Sequence, residues 1–523
     1  MVLGCAVALG PAVVQPFSGD DIYVLESLRS DSWRPRLFAF DFDAPSADDG
    51  SWWSGAVYQR RFVRIPSSGM LWLQWKLFGL RPEAFHAVTW LCILSAALLI
   101  YRRARVALDP LPAALVALTP AVHPANAEMI GVMNCQPLAF AGLCAVLAAL
   151  AWEKRSRAAG LVWTALAITS YEAAIVLPFV LILGERYQRG RFERKSAAAM
   201  GALFIAYVPA ALAVRRGLTN PDTGPMRPAA EVWRSLRLDG EAYVLKAFGL
   251  FDPNAPQVYW LHRHAGELAA VALVLFLLGG LWACFTNRRL ALFGAAVFGG
   301  FLLAPWVTRA TVSQLNLPTL RQLALPIMLG GPLLMAALVH RRLVAIGLLT
   351  LWAVQAVASG GAGELPRDRR ETDKELRRVL QGVPEDQRIA TVDEGCGASF
   401  SLVHLGPVLS AIPPARGDGV PRLRALDDHT VLAESTSGFE IQDRVRPPKR
   451  ATALDRGPAW LTLRPPPLLS QGWQRIPGAT VAIADQQAGL VRALRVRFDR
   501  PLSEIAFLRW ADCTPLGFQL TAR

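Results

Sequence analysis

Long apolar runs separated by short basic clusters dominate the first 360 residues of the chain. Eleven such runs recur, near residues 2–16, 86–101, 109–125, 136–152, 158–170, 172–184, 197–213, 265–285, 290–308, 322–339 and 343–359. Apolar stretches with charge confined to their ends read as membrane-spanning helices. Several fall short of the roughly 20 residues of a full span, so they must stand nearly upright or borrow flanking residues. The first run starts at the second residue with no basic segment before it. A signal sequence is the other reading there, but the polytopic body favours a first transmembrane helix.

The basic clusters order these spans. Arg102, Arg103 and Arg105 form one, and Lys154, Arg155 and Arg157 the next. Arg186, Arg189, Arg191, Arg194 and Lys195 follow, then Arg288 with Arg289, then Arg341 with Arg342. Each lies in a short loop two spans after the last, so the positive-inside rule places all five in the cytoplasm. Arg215 and Arg216 fall on the other side, at the start of a loop long enough to weaken the rule. The N-terminus is then inside. Loops 17–85 and 214–264 and the chain after residue 360 face outward. No internal repeat is evident, which disfavours an inverted-repeat transporter.

Beyond residue 360 the pattern changes. "SGGAGELPRD" has the composition of a linker, and "DRRETDKELRRVLQGV" reads as a charged helix ending at Gly382. Short strand-like runs follow: "RIATV", "AWLTL", "TVAIA", "LRVRF" and "IAFLRW", separated by Pro-rich turns. The expected architecture is an all-α polytopic membrane domain, residues 1–360, with about eleven transmembrane helices. A small β-rich α+β soluble domain, residues 361–523, follows outside the membrane.

Composition agrees. The chain has 523 residues, of which 53% are hydrophobic and 18% charged; soluble proteins carry nearer a quarter charged. The net charge of +14 would point to nucleic acid in a soluble protein, but here it marks cytoplasmic loops and anionic lipid surfaces, so no nucleic-acid partner is expected. Seven cysteines show no metal-binding spacing. Five sit in or beside apolar runs, and Cys396 and Cys513 in the tail could pair if the tail is extracytoplasmic.

Polar groups at the outer ends of spans are functional candidates, because charge at membrane depth is costly. The topology gathers several on one side. Asp20 and Asp21 follow the first span, and His86 opens the second. "HPANAE" sets His123 and Glu128 at the outer end of the third, "SYEAA" puts Tyr171 and Glu172 in a tight outer turn, and Arg321 lies at the outer end of the tenth. Each has a plainer reading: Asp20 as a helix cap, His123 as a helix-terminal hydrogen bonder, Glu172 as a first-turn acid, Arg321 as a side chain reaching to headgroups. The acids of "DFDAPSADD" read as a solvated loop. The Trp-rich "SWWSG" and "MLWLQWKLFG" read as interfacial segments.

In order, these pieces resemble the GT-C superfamily of polytopic glycosyltransferases, in particular its protein O-mannosyltransferase-like branch. The family's "DD" after the first helix is matched by Asp20 and Asp21. Its Arg-Pro…Gly…His segment is matched by Arg64, Pro66, Gly79 and His86. "HPANAEMIGVMNC" follows its "HPvhvE" motif through His123, Pro124 and Glu128, and "TSYEAAIVLP" follows its "lSKE…lP" motif through Ser170, Glu172 and Pro178. "LRQLALP" matches faintly through Arg321 and Pro326. The matches span about residues 17–330. The family lysine of "SKE" is Tyr171 here, the Arg and Asp of its "sgRxD" are Asn134 and Gln136, the Glu of its "ERY" is Leu320, and no tetratricopeptide repeats follow.

The resemblance implies sugar transfer from a polyprenyl-phosphate donor to an acceptor hydroxyl on the external face of the plasma membrane. An acid at the membrane lip would deprotonate the acceptor. Two adjacent acids diverge on a helix, so one acts as base while the other holds the loop or caps the helix, with Asp21 slightly favoured as base. Arg321 would stabilise the leaving phosphate. His86, His123, Glu128, Glu172 and Arg64 would line the substrate site. No cofactor is required, though Mg²⁺ or Mn²⁺ would suit the oxygen donors. A flippase or exporter of lipid-linked glycans and an inactive membrane scaffold are the competing classes. Transporters more often place ionisable groups at mid-membrane, whereas these sit at one end.

Overall fold

The structure is a computed structural model. It describes residues 2–17, 21–29, 35–45, 57–62, 64–79, 81–191, 193–215, 287–303, 323–357, 374, 378, 388–392, 408–412, 421–437, 439, 473–476, 479–487, 490–511 and 514–518. The expected span 265–285, most of the loop 214–264, the strand "AWLTL", and the candidates Asp20, Arg321, Cys396 and Cys513 lie outside the described residues.

The first half is helical. Helix α1 (Val2–Val13) is followed by α2 (Asp21–Arg29), the short α3 (Pro35–Phe38), and a hairpin of β1 (Asp41–Pro45) with β2 (Val57–Arg61). Then come α4 (Ile65–Phe78), α5 (Pro82–Ala104), α6 (Pro110–Val122), α7 (Pro124–Ile130), α8 (Gln136–Glu153), α9 (Arg157–Ser170), α10 (Leu177–Arg189) and α11 (Arg194–Arg215). Later segments include helical residues 287–303, Gly331–Leu338 and Arg342–Val357. Proline opens helix after helix: Pro82, Pro110, Pro124, Pro137 and Pro178 each stand in the first two positions of theirs. A first-turn proline loses no helical hydrogen bond and arrives with its φ already set.

The apolar runs become helices with changed ends. The expected span at 109–125 stops at Val122, because the residue before Pro124 is pushed out of helical geometry. The one at 172–184 starts as a 3-10 turn, Glu172–Val176, before α10. The one at 322–339 carries a π-helical segment, Pro326–Gly330, ahead of Gly331–Leu338. Residues 17–85 hold α2, α3, α4 and the hairpin, with the Trp-rich "MLWLQWKLFG" on α4 and "DFD" on β1.

Among the described residues, α5 and the segment Met133–Glu153 are long and apolar enough to cross a membrane alone. Shorter apolar helices accompany them at Val2–Val13, Pro110–Val122, Pro326–Leu338 and Arg342–Val357. Large apolar side chains also point outward, such as Leu3, Leu77, Ile205 and Leu343. An aqueous exterior would penalise such a surface and a bilayer would not.

The helices share one core. Buried alanines on α5 and α8, among them Ala96, Ala97, Ala141, Ala145 and Ala148, let backbones approach. A Cβ at Gly330 would sit 2.7 Å from the Phe298 backbone, so only glycine permits that crossing. A second core lies under the segment from α2 to α4, where Phe17, Val24, Leu25, Leu28, Phe40, Leu71, Phe85 and Met133 pack together.

The C-terminal region is β-rich, as the sequence pattern indicates. One sheet has the order β11-β10-β3-β4, with β10 (Ile505–Ala511) parallel to β3 (Arg388–Val392) and β3 parallel to β4 (Val408–Ile412), and β11 (Thr514–Phe518) antiparallel at the edge. The other is antiparallel, with the order β5-β6-β9-β8-β7. It is built from β5 (Arg422–Ala425), β6 (Thr430–Glu434), β7 (Gln474–Ile476), β8 (Ala479–Gln487) and β9 (Leu490–Phe498). Both sheets feed one core, in which Leu423, Val431, Leu494, Val496 and Phe498 meet Ile412, Ile505 and Phe507. Of the expected charged helix, Lys374 and Arg378 are described, and both are helical.

Candidate functional site

One end of the helical bundle is tied together by buried polar bonds. Asp21, the first residue of α2, is fully buried. Its carboxylate accepts the backbone N–H groups of Met133 (3.2 Å) and Asn134 (2.7 Å). These belong to the 3-10 turn Met133–Cys135 that leads into α8. A charged acceptor facing free N–H groups at a helix start is a strong pairing.

Next to this turn, Gln136 on α8 and Gln74 on α4 form a closed amide pair. Each Nε2 donates to the other's Oε1, at 2.8 and 3.1 Å, and Gln136 also donates to the Phe85 carbonyl at 2.9 Å. Both glutamines are buried. His86, fully buried near the start of α5, places Nδ1 3.3 Å from the Val13 carbonyl at the end of α1.

Arg64 caps this end from the start of α4. Its Nε and Nη2 donate to both Glu172 oxygens, at 3.0 and 2.8 Å. The guanidinium lies over the rings of Phe62 (4.3 Å), Tyr171 (4.5 Å) and Phe40 (5.0 Å). Planar cations favour such faces. Ser67 donates to the Ser170 carbonyl at 3.3 Å, adding a second tie between α4 and the end of α9. Tyr171, where the resembled family has lysine, thus offers a ring to an arginine from another segment.

His123 occupies the break between α6 and α7. It is extended (φ −74°, ψ 135°), and its Nδ1 accepts the Ala125 N–H at 3.1 Å, which caps α7. Its ring meets Trp352 edge-on at 4.8 Å. Asn126 donates back to the Pro120 carbonyl. The break is therefore hydrogen-bonded on both sides. Glu128 follows on α7, half-buried.

The structure so brings Asp21, Arg64, His86 and Glu172 to one end of the bundle, with His123 and Glu128 on the adjoining break. Asp21, His86 and His123 are fully buried and bonded to backbone. Glu172, whose side chain is 31% exposed, is the more open member of its pair. Sequence reasoning missed Gln74, Gln136 as a partner, and the ring of Phe40. Their signals, two isolated glutamines in apolar helices and one phenylalanine, have no spacing that betrays them. Among the described residues no three His, Cys, Asp or Glu side chains converge as a metal site would require.

The opposite end is different in kind. Arg103 at the end of α5 pairs with Glu153 at the end of α8. Arg157 at the start of α9 reaches Glu185 on α10 (2.6 Å) and Glu193 (3.2 Å), while Arg189 reaches Glu185 from the other side (2.9 Å). Members of the first three basic clusters of the sequence thus share this end.

No family model matches the sequence, and no curated protein matches it. Among solved structures, ArnT from Cupriavidus metallidurans bound to undecaprenyl phosphate is 11% identical, with a TM-score of 0.44, covering 80% of this chain and 85% of that one. The same protein in the apo state is 12% identical, with a TM-score of 0.44 and coverages of 79% and 85%. The Archaeoglobus fulgidus oligosaccharyltransferase in complex with Zn and sulfate is 14% identical, with a TM-score of 0.36 and coverages of 79% and 62%. Likenesses of this size do not identify a function, which has to come from the chain's own residues.

Proposed function

We propose that the chain is a membrane glycosyltransferase of the GT-C type. It moves a sugar from a polyprenyl-phosphate-linked donor to an acceptor hydroxyl at the external membrane face. The observation that carries this reading is the gathering of motif residues from distant segments at one end of the bundle, away from the basic clusters. Arg64 meets Glu172 there, and Asp21 and His86 are bonded nearby to the 133–135 turn and to the end of α1, although the four come from α2, the start of α4, α5 and the turn after α9.

In this reading the acceptor hydroxyl gives its proton to a carboxylate as its oxygen bonds to the sugar's anomeric carbon. The bond from that carbon to the phosphate oxygen breaks, and polyprenyl phosphate leaves. The two oxygens of Asp21 are taken by backbone donors. This favours Asp21 as the residue that holds the 133–135 turn and shifts the base role to its neighbour Asp20. Arg321 is assigned to the leaving phosphate. The Arg64–Glu172 pair sets the corner on which donor and acceptor meet, and His86, His123 and Glu128 position the surrounding helices.

The test is the glycan composition of the cell envelope in a deletion strain. The strain is complemented with wild type, Asp20→Asn or Asp21→Asn at matched membrane levels. Loss of one sugar on deletion, restored by wild type and not by Asp20→Asn, supports the reading and names the pathway. Full restoration by both variants overturns the acid-pair assignment and brings a lipid-glycan exporter or an inactive scaffold forward.

A further inference from the structure

The five-stranded sheet of the C-terminal region has a core face and an arginine face. On β9, Arg495 and Arg497 are exposed while Val496 and Phe498 are buried; on β5, Arg422 and Arg424 are exposed around buried Leu423. The register sets these side chains in rows. Arg424 lies opposite Leu432, which lies opposite Arg495. Arg497 lies opposite Thr430 on one side and Thr480 on the other. Strands sit about 4.8 Å apart and alternate residues about 6.8 Å apart along a strand. The arginines on β5 and β9 are therefore separated by roughly 10 Å across the sheet and roughly 7 Å along it.

Among the described residues none of the four forms an ion pair; Glu434 lies in register opposite Arg422, and Asp427 in the β5–β6 turn is near enough to feel the charge of Arg497. The cations are spread in two dimensions over one face of the sheet. A linear polyanion would be matched by a line of charge in a groove; a planar anionic surface is matched by an array of this shape. Each such residue near a charged bilayer adds attraction that decays over a Debye length of about 8 Å at physiological ionic strength. The domain is tethered to the helical region, which keeps its local concentration at a bilayer high.

We propose that this arginine face docks the C-terminal domain onto the anionic headgroups of the bilayer that holds the chain's helices. The proposal rests on the membrane reading above. Docking fixes which side of the domain faces the bilayer and leaves the other sheet, β11-β10-β3-β4, facing away.

The test uses the full chain in nanodiscs of phosphatidylcholine alone or with phosphatidylglycerol. Phenylglyoxal labels arginines, and mass spectrometry reads the rate at each one. Arg500, paired with Glu504 at 3.4 Å, is the internal reference. Labelling of Arg424, Arg495 and Arg497 is expected to slow about fivefold in the anionic discs and to recover in high salt. In the Arg495→Gln/Arg497→Gln variant, Arg424 is expected to label at its neutral-disc rate in both. Equal rates in the two bilayers at low salt overturn the proposal. So does protection by soluble polyphosphate in neutral discs without protection by anionic lipid, which assigns the face to a soluble polyanion. Alkaline extraction of native membranes tests the membrane reading separately: release of the chain would overturn that reading, whatever the labelling shows.

Discussion

Arg64 and Glu172, 108 residues apart, meet in two parallel hydrogen bonds beneath three aromatic rings. The arginine side chain is 7% exposed, so its charge depends on this partner. A double-mutant cycle with Arg64→Ala and Glu172→Ala is expected to show a coupling energy of about 1–3 kcal/mol in detergent unfolding. Arg64→Lys will not restore wild-type stability, since lysine lacks the planar fork. A coupling near zero would mean the corner is held by packing alone.

Asp21→Ala leaves the N–H groups of Met133 and Asn134 without their acceptor in a buried site. The expected loss is about 1–3 kcal/mol for each unmet group, read as a lowered unfolding temperature. Asp20→Asn is expected to leave that temperature unchanged while abolishing transfer. This separates the two acids by readout: one moves stability, the other activity alone.

The Gln74–Gln136 pair gives a contrast in sign. Gln136→Leu alone strands the buried Gln74 amide and the Phe85 carbonyl, at a cost of about 1–3 kcal/mol. The double variant Gln74→Leu/Gln136→Leu is expected to recover much of it, because two apolar side chains need no partners. A double variant no more stable than the single one would show that the amides do more than satisfy each other.

In the C-terminal region, Asp427 accepts the His429 N–H at 2.8 Å in the turn joining β5 and β6. That bond, with Thr430 and the charge of Arg497 adding to it, lowers the Asp427 pKa below its usual 3.8. A depressed acid stabilises the fold fully above its unfolded value and loses that contribution as pH falls through the folded one. Protection factors of the β5–β6 hairpin amides, taken against the intrinsic exchange rate at each pH, should therefore be steady from neutral pH down to about 4 and should fall below 3.8. Asp427→Asn should flatten that response.

Local features were legible in the sequence and distant pairings were not. "RIATV" became β3 with the same ends, residues 388–392, and "LRVRF" and "IAFLRW" lie inside β9 and β10, because alternation and β-branched content act within a few residues. The break at His123 was foreshadowed by Pro124, and its plainer reading as a helix-terminal hydrogen bonder is what the structure shows. Asp21 was picked out as a site residue, but its bonds to Met133 and Asn134 depend on how α2 folds back over the bundle, which no local pattern encodes. The same holds for Arg64: its motif marked the residue, while Phe40 and Tyr171 came from two other segments.

The two ends of the bundle answer differently to the solution around them. At the Arg157 end the Arg157 side chain is 25% and that of Glu193 55% exposed, so ions in the medium compete for that contact, while the Glu185 that Arg157 and Arg189 share is buried. At the Asp21 end the ties of Asp21 and of the two glutamines are buried bonds to backbone and between amides, which dissolved ions do not reach, and the Arg64–Glu172 pair beside them opens to the medium on its Glu172 side. Raising salt therefore loosens the Arg157–Glu193 contact and leaves the ties of Asp21 and the two glutamines as they were. One end of the bundle is thus fastened mainly by bonds that the medium does not reach, and the other in part by a contact that ionic strength can tune.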